Sequence, residues 1–129
     1  MLTFGVVVLG VTDRQRAADF WRAALGYEVR EDGYGGWAMV LVPPDGVTGT
    51  PIAFQTSQTP AEEHPRIHLD LHVTGVAEQE AEATRLTSLG ASRVDWDSYP
   101  ADPDFVVLAD TEGNRFCIVD LAHVPDQHS

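Results

Sequence analysis

Apolar positions along this chain follow two rhythms, and the order of the rhythms occurs twice. Phe4 to Val11 is an apolar, strand-like run. Thr12-Asp13-Arg14-Gln15 then has capping-box form, which predicts a Thr12 hydroxyl capping the first helical turn and Gln15 answering it. The helix that follows carries Ala17, Phe20, Trp21, Ala24 and Leu25 on one side and stops at Gly26. Tyr27–Arg30, Trp37–Val42 and Pro51–Gln55 read as strands, separated by the turn residues of Asp32–Gly36 and Pro43–Gly46.

The same order returns after a polar linker. Ile67 to Val73 alternates, with Ile67, Leu69, Leu71 and Val73 on one face and His68, Asp70 and His72 on the other. Thr74 is placed to cap a second helix, whose Val76, Ala83, Leu86 and Leu89 form one apolar stripe and which stops at Leu89-Gly90. Ser92–Trp96, Phe105–Ala109 and Arg115–Leu121 read as strands, and Ala122 to Ser129 is a polar tail. Each half is strand–helix–strand–strand–strand. The expected architecture is one α+β domain of two βαβββ modules forming a curved, incomplete eight-stranded barrel, with one helix packed on each module. The modules span about residues 4–56 and 66–121, joined by a linker over 57–65. Alternation directs Val6, Val8 and Gly10, Ala53 and Gln55, His68, Asp70 and His72, and Cys117 and Val119 to the concave side.

Composition narrows the partners. A chain of 129 residues that is 43% hydrophobic is the size of one compact domain. Its net charge is −12 and all eight basic residues are Arg, without a basic cluster, which argues against nucleic acid and anionic membrane. The single cysteine, Cys117, excludes an internal disulfide framework. No stretch approaches the length of a membrane span, and Met1-Leu2-Thr3-Phe4 begins a strand rather than a signal peptide, so a cytoplasmic location is expected.

Several segments, taken in order, carry a resemblance to a known family. They are Val11-Thr12-Asp13, Ala18-Asp19-Phe20-Trp21, Ala24-Leu25-Gly26-Tyr27, Ile52-Ala53-Phe54-Gln55, His68-Leu69-Asp70-Leu71-His72-Val73, Leu89-Gly90-Ala91, and Val107 through Cys117. Together they resemble the vicinal oxygen chelate superfamily of glyoxalases, bleomycin-resistance proteins and extradiol dioxygenases, and its glyoxalase-like subgroup in particular. The resemblance implies a cavity for a small organic molecule and, in the enzymes, a divalent metal on four side chains. Position by position, the first ligand place falls on Val6, the second on Ala53 or Gln55, the third on His68 and the last on Cys117. Only His68 has the family's usual ligand type, so the expected cofactor is none, with a divalent metal ion as the alternative.

His68 and Asp70 read either as a hydrogen-bonded polar pair in a wet cavity or as part of a metal site. Acid–base work by the same pair, its carboxylate holding the imidazole tautomer, is a third reading. Cys117 reads as a small buried hydrophobe or as a thiolate ligand or nucleophile. Gln55 reads as a hydrogen-bond partner for a bound molecule, with Val6 and Ala53 as apolar lining. Trp96 and Tyr99 flank the acidic loop and read as a pocket wall or as packing on their own loop. The expected function is small-molecule binding by a homodimer. The alternative is a metal-dependent lyase, isomerase or dioxygenase with His68 as a metal ligand.

Overall fold

The computed structural model describes residues 1–124; the end of the polar tail, 125–129, lies outside the described residues. The chain divides into two compact units, Met1–Pro60 and a second from Ala61 onward. Each holds one four-stranded mixed sheet and one long helix, the strand–helix–strand–strand–strand order read from the sequence.

In the first unit, β1 (Val7–Val11) pairs in parallel with β4 (Ile52–Thr56), placing Val8 beside Ala53 and Gly10 beside Gln55. β3 (Val40–Val42) and β2 (Glu28–Arg30) complete the sheet antiparallel, in the order β1-β4-β3-β2. Helix α1 (Arg14–Leu25) packs against β4 and buries Ala17, Ala18, Phe20 and Trp21. Trp21, Leu41 and Val40 are among the most completely buried large side chains, and such burial contributes about 1.5–3 kcal/mol for each aliphatic residue. The α1 cap falls one residue later than the capping box predicts. Asp13, in extended conformation, accepts from the Arg16 N–H at 3.1 Å, while Gln15 turns along the helix to Asp19 at 2.9 Å. The helix ends at Gly26 in the left-handed conformation (φ 68°), as its sequence indicates.

The predicted strand over Trp37–Val42 is ordered as strand only from Val40. Gly35 and Gly36 take positive φ, and the resulting 3₁₀ turn over Tyr34–Gly36 closes with the Trp37 N–H donating to the Tyr34 carbonyl at 2.8 Å.

In the second unit, β5 (Leu69–Val73) runs parallel to β8 (Arg115–Asp120), and β7 (Phe105–Ala109) and β6 (Ser92–Arg93) follow antiparallel, in the order β5-β8-β7-β6. The strand begins at Leu69, two residues later than predicted, and Ile67 is exposed rather than buried. Helix α2 (Val76–Ser88) packs on β8 and β6. Thr74 does not cap it. The N-cap is Gly75 (φ 104°), and its N–H donates across the unit to the Asp120 carboxylate at 2.7 Å. Val76 is exposed, and the buried stripe is Gln79, Ala83 and Leu86. Gln79 belongs there because its amide donates to two main-chain carbonyls, Asp104 at 3.1 Å and Ile118 at 3.0 Å. Phe116, Leu108 and Ile118 form the tightest part of this unit's core.

Candidate functional site

Strand alternation on β8 sends Phe116 and Ile118 into the core and Arg115, Cys117 and Val119 to the opposite face. On one side, register sets Asp70 of β5 against Cys117. On the other, β7 sets Val107 against Cys117 and Phe105 against Val119. His68, immediately before β5, shares the parity of Asp70. Trp96 and Ser98, from the loop after β6, meet this face, and the result is a cavity of about 190 Å³. Its lining divides into an apolar floor of Val107, Cys117 and Val119 with Trp96 and Phe105, and a polar side of His68, Asp70 and Arg115.

The polar side is closely set. His68 Nδ1 lies 3.1 Å from Asp70 Oδ1 and 4.0 Å from Cys117 Sγ. One donor atom from each of the three residues falls within 4.8 Å of the others. His68 and Asp70 remain roughly two-fifths exposed, whereas Cys117 is buried. Burial, first, and then the charge and hydrogen bond of Asp70 push the Cys117 thiol up to about 12. The thiol is therefore protonated at neutral pH. The Asp70 carboxylate, 3.1 Å from Nδ1, can fix the imidazole tautomer.

Arg115 stands at the end of this face. Its Nη1 donates to the Gly113 carbonyl at 2.8 Å, while its Nε is buried without a hydrogen-bond partner. Together with Trp96 it also lines a second, wider groove of about 620 Å³, which includes His64, Arg93, Asp97 and Thr111. There His64 Nε2 meets Asp97 Oδ1 at 2.8 Å, and its ring centroid lies 4.8 Å from that of Trp96. The hydrogen bonds from His64, first, and Ser98 hold the Asp97 carboxyl below the usual carboxylate range.

Of the residues singled out from sequence, His68, Asp70, Trp96 and Cys117 come together around the second unit's cavity. Tyr99 stands behind it. Its ring packs 5.3 Å from Phe105, and its hydroxyl accepts from the Val107 N–H at 2.8 Å. His72 is exposed, beside Val119. Val6, Ala53 and Gln55 belong to the first unit. Val6 is half-buried just before β1, Ala53 is fully buried beside Val8, and Gln55 is exposed beside Gly10. Of the ligand places that the resemblance assigns to the first unit, Val6 and Ala53 offer no donor atom, and Gln55, the alternative to Ala53, offers a neutral amide. Sequence reading passed over Pro65, Ser98, Val107 and Arg115. Val107 and Arg115 carried a usable signal, because each shares a face with Cys117 by strand parity and pairing.

Solved structures share this fold. A glyoxalase/bleomycin resistance protein/dioxygenase family enzyme from Burkholderia phytofirmans PsJN matches at TM-score 0.70 and 14% identity, over 93% of this chain and 99% of that one. TnmS3, an antibiotic binding protein from Streptomyces sp. CB03234, matches at TM-score 0.59 and 19% identity, over 93% and 96%. The genomically encoded fosfomycin resistance protein FosX from Listeria monocytogenes matches at TM-score 0.68 and 13% identity, over 96% and 93%. At such identities the likeness is one of fold. A comparison with curated protein sequences finds no match. The family model described as a glyoxalase-like domain matches residues 6–119, nearly the whole chain. Sequence, element order and fold thus agree, and the chain belongs to the glyoxalase-like family of the vicinal oxygen chelate superfamily.

Proposed function

We propose that this protein binds a small organic molecule in the cavity of its second unit and works there without the family's four-ligand metal centre. The carrying observation is the cavity's make-up: an apolar floor with Trp96 and Phe105 for a ring or hydrocarbon body, and His68, Asp70 and Arg115 converging on it. His68 and Asp70, 3.1 Å apart, supply one donor–acceptor pair for a polar group on the ligand. Two proteins of the same fold are an antibiotic binding protein and a fosfomycin resistance protein, which fits this reading. The binding species is a homodimer in the cytoplasm.

A thermal-shift screen of the folded protein against aromatic antibiotics and thiol conjugates tests the reading, because a ligand that binds only the native state raises the melting temperature. Saturable stabilisation that is weakened by His68→Ala and by Trp96→Ala is the expected result. Stabilisation indifferent to both substitutions would put the binding site elsewhere.

One observation favours a second reading. His68, Asp70 and Cys117 present N, O and S donors within 4.8 Å of one another, a set suited to a borderline divalent ion such as zinc. Such an ion would supply Lewis-acid polarisation of a ligand oxygen. His68 and Cys117 would hold it, and Asp70 would complete the set. Elemental analysis of protein purified without chelator decides between the readings. Stoichiometric metal that is lost in His68→Ala and in Cys117→Ser would replace the metal-free reading with this one.

A further inference from the structure

Arg115 is held in an unusual way for a strand-end arginine. Its Nη1 is committed to the Gly113 carbonyl, 2.8 Å away. Its Nε is buried with no acceptor, and no ion pair to Arg115 occurs among the described residues. Other arginines of this acidic chain sit beside carboxylates: Arg30 with Asp32, Arg85 with Glu82 and Arg93 with Glu80. In a molecule of net charge −12, a guanidinium left unmatched beside a cavity is a group whose partner is to come from outside.

Position adds to this. The guanidinium is planar, and its N–H groups are spaced to match the two oxygens of a carboxylate. Arg115 lines both the inner cavity and the wider groove, and so does Trp96. Asp70 lies on the neighbouring strand, one register diagonal away, roughly 8 Å at Cα from the usual strand rise and spacing. The same register, continued one step, places His68 beside Arg115, so a ligand anion is repelled by Asp70 and drawn towards the Arg115 and His68 end of the polar side. We propose that Arg115 is the oxyanion-recognising residue of this site, so that the ligand is an aromatic carboxylate whose ring rests against Trp96 and Phe105 and whose carboxylate meets the guanidinium of Arg115. This inference rests on the cavity being the binding site.

The test compares 2-naphthoate with 2-naphthamide, which has the same shape without the charge. Binding is measured by calorimetry, with the cavity's own aromatic and histidine resonances followed by NMR. The wild-type protein is expected to prefer the carboxylate by roughly tenfold or more, from a charge-assisted bidentate contact in a partly desolvated site. Arg115→Gln abolishes that preference while leaving amide affinity in place. Arg115→Lys keeps the charge but restores the preference only in part. Equal affinity for carboxylate and amide in the wild-type protein overturns the oxyanion assignment but leaves the cavity standing as a binding site. A carboxylate preference that survives in both variants also overturns it. If neither probe perturbs the resonances of His68, Trp96 or Phe105, the cavity reading falls and the assignment with it. The wild-type comparison needs no variant, so the outcome is decided even if a substitution impairs folding.

Discussion

Cys117 is buried against Val107 and Val119, with Asp70 on the neighbouring strand, and those neighbours decide its chemistry. With the thiol pushed from 9.0 to about 12, almost none of it is thiolate at pH 8. In protein stripped of metal by chelator, iodoacetamide at pH 8 is expected to alkylate the folded chain roughly a hundredfold or more slower than the urea-unfolded chain. Asp70→Asn, which removes the facing charge, speeds the folded reaction; equal rates folded and unfolded would contradict the assignment. The linkage has a definite sign. The folded value is raised, so this contribution to stability is fully present below about pH 9 and is lost as pH rises towards 12. Parity in the sequence was enough to bring His68, Asp70 and Cys117 to one face, because alternation along a strand is a local property. The state of the thiol was not legible, since burial and the facing charge depend on strand pairing across forty-seven positions. Arg115 shows the opposite case. Its parity was plain, but the unmatched Nε belongs to three-dimensional packing.

Helix α2 depends on groups far away in sequence. Its first turn has no side-chain cap of its own and borrows the Asp120 carboxylate through the Gly75 N–H. Its buried face is fastened by Gln79 to the Asp104 and Ile118 carbonyls. Gln79→Leu is nearly isosteric and leaves both carbonyls short of a donor in the interior. Urea denaturation is expected to register a loss of roughly 1–3 kcal/mol. An unchanged midpoint would mean that those carbonyls find other partners. The existence and order of the elements were legible because hydrophobic period is written along each segment. Their ends were less so. Thr12 and Thr74 were locally plausible caps, yet Asp13 and the distant Asp120 do the work. Trp37 to Met39 looked like strand, but Gly35 and Gly36 hold the preceding residues in a 3₁₀ turn. Gln79 lay outside the apolar stripe because its two acceptors belong to a loop and to another strand.

At the scale of the molecule, two units each carry a core of their own, and no helix among the described residues is long and apolar enough to cross a membrane. Large apolar side chains nevertheless face outward, among them Phe4, Ile67 and Leu121. Sedimentation equilibrium is expected to give twice the chain mass of 14.1 kDa, with association strengthened by added salt as the charge of −12 on each chain is screened. A mass of 14.1 kDa across the accessible concentrations would contradict the proposed homodimer. The outer wall of the second unit's cavity has a wider consequence. β6 is two residues long, and beyond it the sheet edge at Val107 is met by the Val94 N–H and by the Tyr99 hydroxyl instead of a continuing strand. A wall pinned to the sheet edge at two points, its span between them held to His64 rather than to β7, can gain or lose residues without shifting the register of β7 on β8. The stretch holding Trp96 and Ser98 is thus open to rapid sequence drift while the sheet beneath stays constant. Relatives of this protein can be expected to diverge first in that span, each reshaping its ligand range on an unaltered frame.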